Sequence, residues 1–423
     1  MADSVNTPVA ESLHPQTQGS AWTPLGEPLF RSLWLAAVIS YIGTWMQNVG
    51  AGWLMTQLTT SPLMVSLVTA ATTLPVFLVI LPAGALADMV DRRRFLLATQ
   101  GWMVVAAALL GILTLRHEVT PWMLLVFTFV LGLGAVMNDP AWQAITPEIV
   151  SAHSHEAAVA LNSVGFNVAR AIGPAVGGLV IAAAGSGVAF LLNAASFFGV
   201  IFFLYRWKRP HYEHVEKGRV TDAMLTGLRF VRDAPVVRCV LIRTGAFSLA
   251  ASSMPALLPI LARPHGATGY GLLMGSFGLG ALAGAAALPR LRSRLSVDGL
   301  VVFGTLLFAA MSFAAGRVET FPALSLVLFM SGIAWIGILA CLNVAAQTMS
   351  PPWLRARALS MYLLVLQGGM ALGSAVWGGL ASRVGVPSAL LYSSVALVAG
   401  LFTVLRYRLT SQGLRLAPVV VRD

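Results

Sequence analysis

The chain has 423 residues, 57% hydrophobic and 10% charged, with a net charge of +11 and a mean hydropathy of +0.80. That balance excludes an ordinary soluble domain, which is about 45–50% apolar and about 25% charged; a bilayer is the solvent that fits it. The basic residues fall in short clusters between apolar runs, the pattern of a cytoplasmic membrane face rather than of a nucleic-acid surface, so a lipid bilayer is expected as partner and nucleic acid is not.

Residues 1–28 are polar and lack a basic region before a short apolar core, which predicts a disordered cytoplasmic tail and not a signal peptide. Apolar segments then follow at 31–57, 63–87, 95–115, 121–141, 157–184 and 187–206. A polar break, Arg206 to Asp222, and a short amphipathic stretch, AMLTGLRFVRD, come next. Six more apolar segments occupy 236–262, 269–289, 298–316, 321–345, 358–382 and 386–405. Each is near the roughly 20 residues that a spanning helix needs. The pattern predicts a membrane protein of twelve helices: one six-helix bundle over 29–206, a cytoplasmic linker over 207–235, a second bundle over 236–408 and a tail over 409–423.

Lys and Arg set the orientation. With the N-terminus inside, 21 basic residues fall on the cytoplasmic side and 4 on the opposite side, with Arg170 and Arg243 inside segments. That asymmetry predicts both termini in the cytoplasm. The two cysteines, Cys239 and Cys341, sit in apolar segments and indicate neither a disulfide framework nor a metal site. No cofactor is expected.

The two halves carry traces of a duplication. Shifted by 200 positions, LPAGALADMVDRRR at 81–94 lies over ALAGAAALPRLRSR at 281–294, and AIGPAV at 171–176 lies over ALGSAV at 371–376. Transporters are commonly built from such repeats, with the substrate site near the midplane between them.

Three stretches carry a resemblance. Gly84, Asp88, Arg92 and Arg93, between the second and third segments, resemble the cytoplasmic loop motif of the major facilitator superfamily. The resemblance implies that this cluster latches the two halves in one state and releases them in the other; topology marking alone is the other reading. Asp91 stands where the family usually has Gly. GPAVGG at 173–178, with Gly173, Pro174, Gly177 and Gly178, resembles the superfamily's antiporter motif of export-type members, and an ordinary packing kink is the alternative. NDPAWQAITPEIV at 138–150 and the residues after it are similar to the enterobactin-exporter and macrolide-efflux branch, although Trp142 stands where that branch commonly has Arg. The implied fold is all-α, with two pseudo-symmetric six-helix bundles over about 30–408.

Polar groups inside a span are costly and usually face a bundle interior or a wet cavity. Arg170 is about 20 Å into its helix at about 1.5 Å per residue, too deep to snorkel easily. Ser163, Asn167, Arg170 and Pro174 share one face by their +4, +3, +4 spacing. That face is expected to line a cavity, while Ala169, Gly173 and Gly177 form a smooth stripe for a neighbouring helix. A structural pin is the other reading of Arg170. Thr44, Gln47 and Asn48 on the first helix are expected in the same cavity, with interhelical hydrogen bonding as the alternative for the two amides. Arg243 reads as an interfacial anchor. The arginine that proton antiporters of the superfamily often carry before Gly-x-Gly is replaced by Thr128, ahead of Gly132 and Gly134. Asp139, at the cytoplasmic end of the fourth segment, is the candidate proton carrier.

Together these features predict a secondary transporter that exports a small amphipathic organic compound, siderophore-like or macrolide- and drug-like, across a bacterial inner membrane by alternating access with protons as coupling ion. The runner-up is an importer or a lysophospholipid flippase on the same fold. An outer-membrane efflux partner of unknown identity is compatible with export. An enzyme is not expected, because the sequence carries no His-Glu-x-x-His, nucleophile elbow or phosphate loop.

Overall fold

The computed structural model describes residues 22–89, 91–207, 235–348 and 355–406. Residues 208–234 of the expected linker, residues 1–21 of the expected N-terminal tail, the whole expected C-terminal tail and the side chain of Asp88 lie outside the described residues. Within the expected N-terminal tail, Thr23–Gly26 form a 3-10 turn with Pro24 buried.

The first helices are α1 (Pro28–Leu58), α2 (Pro62–Met89), α3 (Arg92–Leu115) and α4 (Pro121–Ile149). Their starts follow from sequence. Proline opens α1, α2 and α4, where its missing N–H costs nothing. Asp91 caps α3 by accepting from the Arg94 amide at 2.9 Å, and Thr120 caps α4 by accepting from the Met123 amide at 3.3 Å. The acid that departs from the family loop pattern is therefore a helix cap.

His155–Arg206 is helical over 52 residues, about twice what one crossing needs, and it breaks at Gly185 (φ 84°, ψ 165°). This left-handed backbone suits glycine and divides the stretch into α5 (155–184) and α6 (186–206). Eleven stretches among the described residues are long and apolar enough to cross a membrane, and this division makes them twelve.

The second half repeats the pattern. Pro235–Ala251 and Ser253–Leu261 together form α7; α8 is Gly266–Arg292, α9 Val297–Ala315, α10 Phe321–Thr348, α11 Arg355–Val384 and α12 Val386–Gly400, continued by Phe402–Arg406. Gly385 separates α11 from α12 with φ 83° and ψ 160°, 200 positions after Gly185 and in the same conformation. The offset read from the sequence thus reappears as matched backbone breaks.

The halves meet through α5 against α8 and α2 against α11, with α7 and α8 also touching the first half. Close approach needs glycine here. A Cβ on Gly178 would lie 2.7 Å from the Ala267 carbonyl oxygen and 2.9 Å from the Gly271 Cα. Its counterpart 200 positions on, Gly378, would bring a Cβ within 3.1 Å of the Leu63 Cα.

The face holding the start of α1 and the end of α12 is called the terminal face, and the face of the α1–α2 turn the distal face. The joining contacts cluster distally. The Arg263 guanidinium, in the turn between α7 and α8, donates to the Thr56 carbonyl at 3.0 Å and the Thr59 carbonyl at 2.7 Å, at the C-terminal end of α1. The Leu63 amide donates to Ser382 Oγ at 3.2 Å, and Trp53 stacks on Tyr270. Toward the terminal face, two described arginines bond to groups of their own half. Arg92 donates to Glu148 at 2.9 Å, and Arg93 donates to the Leu204 and Tyr205 carbonyls, each at 2.6 Å. Arg243 is not an interfacial anchor. It is 4% exposed and paired with Asp298 in the first turn of α9, because it lies about two turns inside α7, which begins at Pro235.

Candidate functional site

A cavity of about 340 Å³ lies between the halves. From the first half it is lined by Trp45 and Asn48 of α1, Thr69, Thr72 and Thr73 of α2, and Arg170 and Pro174 of α5; from the second by Met254, Tyr270, Phe277, Trp335 and Gln367. Among the described residues, Arg170 is the one charged side chain in this lining.

Helix packing explains how α5 presents it. Gly173 sits against Trp45 and the Ile42 carbonyl, Gly177 against Met46, and Gly165 against Val38 and Trp34. With fully buried Ala169 these make the small-residue stripe, and they lay α5 on α1. Gly178 faces α8. The remaining face carries Arg170 and Pro174 into the cavity. The guanidinium lies 5.9 Å from the centroid of the Trp45 ring, a cation–π contact. Among the described residues it has no hydrogen-bond or ion-pair partner, so its five donors remain for a ligand.

Ser163 and Asn167 share that face but lie a turn or more nearer the terminal face, outside the lining. Ser163 Oγ donates to the Val159 carbonyl at 3.1 Å and Asn167 Nδ2 to the Ser163 carbonyl at 2.8 Å.

A second cavity, about 180 Å³, lies inside the first half. Thr44, Gln47 and Asn48 of α1 line it, with Thr72 of α2, Thr128 and Asp139 of α4, and Asn193 of α6. Asp139 is therefore not at a helix end: α4 runs on unbroken through Pro140 to Ile149, which places the acid inside the span. Its side chain is exposed toward this compartment, and among the described residues it has no hydrogen-bond or ion-pair partner. The Tyr41 phenol lies within its electrostatic range. Asn193 Nδ2 donates to Gln47 Oε1 at 3.3 Å, so Gln47 does make the interhelical bond its type suggests. Gln47 Nε2 and Asn193 Oδ1 are nonetheless buried without partners, at 5% and 1% residue exposure. Such atoms in a roomy polar cavity call for water or a ligand.

Asn48 and Thr72 line both cavities, so the two are neighbours across one wall. Sequence reasoning missed Thr72, Asn193 and Gln367. For the two amides the signal was present, since a carboxamide inside an apolar run is itself a flag. Trp142, at the branch's arginine position, is buried in the apolar cluster at the terminal end of the first half and replaces a charge with packing.

Residues 19–417 match the family described as transmembrane secretion effectors. The chain is 27% identical over 386 residues to the multidrug efflux pump Tap of Mycolicibacterium fortuitum, covering 86% of this chain and 91% of that protein. It is 26% identical over 361 residues to the enterobactin exporter EntS of Salmonella choleraesuis (strain SC-B67), covering 84% and 86%. Among solved structures, a bacterial homologue of the human lysosomal transporter Spinster, in an inward-facing and occupied conformation, superposes with a TM-score of 0.73 at 15% identity, covering 93% of this chain and 99% of that one. That last likeness shows the fold.

Proposed function

The chain belongs to the transmembrane secretion effector family, within the major facilitator superfamily of membrane transporters, and from that premise we propose that it exports an amphipathic organic compound across a bacterial inner membrane by alternating access. The observation that carries this reading is the cavity between the halves, with the unbonded Arg170 guanidinium in an otherwise uncharged, aromatic-rich lining. Arg170 binds an anionic or strongly accepting group of the substrate, since its charge persists at any working pH and its planar fork matches oxygen acceptors. The aromatic walls take the apolar body. Export as the direction is supported by the names of the efflux pump and the exporter it resembles over most of its length.

Both termini and the linker are cytoplasmic in this reading, on the strength of the basic asymmetry. The distal contacts then seal the outer side, and the conformation is inward-facing. The Gly84, Asp88, Arg92, Arg93 loop acts as the latch of the opposite, outward-facing state. The bonds of Arg93 to the Leu204 and Tyr205 carbonyls of its own half fit a released latch. Asp139 carries the coupled proton. Its carboxyl is inside the span, without a hydrogen-bond or ion-pair partner among the described residues, in a compartment roomy enough for water.

The test is transport in proteoliposomes. Wild type drives efflux of siderophore-like or macrolide substrates when a proton gradient is imposed. Asp139→Asn keeps downhill exchange and loses the gradient-driven component. Gradient-driven export at the wild-type rate in that variant removes Asp139 from coupling.

A further inference from the structure

Arg170 and Asp139 have so far served two separate purposes, yet their cavities share a wall. Asn48 and Thr72 line both, and Trp45 and Thr44, three and four positions before Asn48, line one each. One face of α1 therefore borders both cavities, one holding a guanidinium and the other a carboxylate, neither with a hydrogen-bond or ion-pair partner among the described residues. The rest of the lining is neutral: hydroxyls, carboxamides, aromatic rings and aliphatic groups. The atoms left without partners point the same way. Gln47 Nε2 and Asn193 Oδ1, both deeply buried, leave a donor and an acceptor unfilled on the Asp139 side. In the bilayer two unneutralised opposite charges are costly, and a ligand bearing both complementary charges offsets both.

We infer that the transported compound is amphoteric: an aromatic body with an anionic group for Arg170 and a protonated amine for Asp139. This rests on the transport function proposed above and names its substrate class. It also gives the coupling a simple form. The ammonium of the substrate pairs with the Asp139 carboxylate; a proton arriving from the outer aqueous phase binds that same carboxylate and displaces the ammonium, which leaves with its own proton. The groups that face Asp139 from its neighbours are the Tyr41 phenol of α1 and neutral Thr72 of α2, Met103 of α3 and Asn193 of α6.

Equilibrium dialysis of the purified full chain tests this with three probes on one aromatic scaffold: ciprofloxacin, which carries a carboxylate and an amine, its N-acetyl derivative, which lacks the cation, and its ethyl ester, which lacks the anion. Wild type is expected to bind ciprofloxacin about tenfold or more tighter than either derivative, the scale of one charge-assisted hydrogen bond. Asp139→Asn should bind ciprofloxacin and the N-acetyl derivative equally while still preferring both over the ester. Arg170→Gln should do the converse, and Asp139→Glu should keep the amine preference. Size-exclusion profiles confirm that each variant is folded. Binding of none of the probes by wild type overturns the inference, as does an amine preference that survives Asp139→Asn. If that variant loses gradient-driven efflux while keeping the amine preference, the inference falls and the proton role stands. If it loses the amine preference while keeping gradient-driven efflux, the proton role falls and the inference stands.

Discussion

The two halves have one architecture and different interiors. In the second half buried apolar residues form one continuous cluster, with Phe247, Phe308 and Trp335 in mutual ring contact and Phe277 against Trp335. Its buried charge, Arg243, is matched by Asp298. In the first half the core is broken into three clusters, near the terminal face, near the distal face and between α3, α4 and α6. The polar compartment of Asp139, Gln47 and Asn193 occupies the gap between them. Duplication copied the helices, the glycine breaks and the glycine contacts between halves. It did not copy the chemistry. Both halves hold buried polar atoms without a partner among the described residues, Ser312 Oγ and Ser325 Oγ in the second; in the first, Gln47 Nε2 and Asn193 Oδ1 gather at one compartment, where a transported ligand or ion can fill them.

Perturbations that treat the halves alike would break this comparison. The largest effect is expected at Arg243. Arg243→Ala removes a buried cation from its half-buried partner Asp298, a change worth about 3 kcal/mol, and should lower the melting temperature; adding Asp298→Asn should recover part of the loss. Asp139→Asn, which strands no partner, should leave the melting temperature near wild type. Equal melting losses at the two positions would end the claim that Arg243 is held by a partner while Asp139, among the described residues, is not.

A smaller effect is expected at the glycine contacts, where the halves are alike. Gly178→Val and Gly378→Val each push a side chain into the facing backbone, and over-packing costs about 1–3 kcal/mol. Both should slow transport by a similar factor, measured in proteoliposomes. A large difference between them would show that the quasi-symmetry stops at the backbone.

Smallest in stability is the distal clamp. Arg263→Gln removes the charge from two hydrogen bonds to the end of α1, where the helix dipole favours a cation. A loss of about 1.4 kcal/mol moves the conformational equilibrium about tenfold toward the distally open state. Labelling of a Thr69→Cys cavity reporter by an impermeant thiol reagent added on the distal side should rise accordingly. Unchanged labelling would mean the clamp does not hold that face.

Much of the fold was legible in the sequence because a bilayer imposes simple rules. Segment lengths, apolar content and the offset of 200 positions pointed to two six-helix bundles, and Gly185 and Gly385 carry that offset into the backbone. The small-residue stripe of α5 was legible for the same reason, since close helix contact requires small side chains at fixed spacing. The site was legible only in pieces. Arg170, Asn48 and Pro174 do reach the central cavity, but Ser163 and Asn167 are on the right face at the wrong depth, which helical periodicity does not specify. Asp139 was read as a helix end because apolar character fades near 141, whereas α4 continues through Pro140 on packing that hydropathy does not report. Arg243 was misread for a related reason: its partner Asp298 is 55 residues away, beyond any local pattern. Thr72, Asn193 and Gln367 came from helices whose cavity-facing side only tertiary packing reveals.

The central claim is that the Arg170 cavity is the substrate site, and the most direct measurement is ligand affinity per folded molecule for Arg170→Ala, read beside its melting temperature. An anionic siderophore-type ligand should lose at least about tenfold in affinity, because one charge-assisted contact is gone, while the melting temperature stays near wild type, because among the described residues Arg170 has no hydrogen-bond or ion-pair partner and contacts the Trp45 ring. Unchanged affinity in the folded fraction, with a lowered melting temperature, would make Arg170 a structural pin and contradict the account.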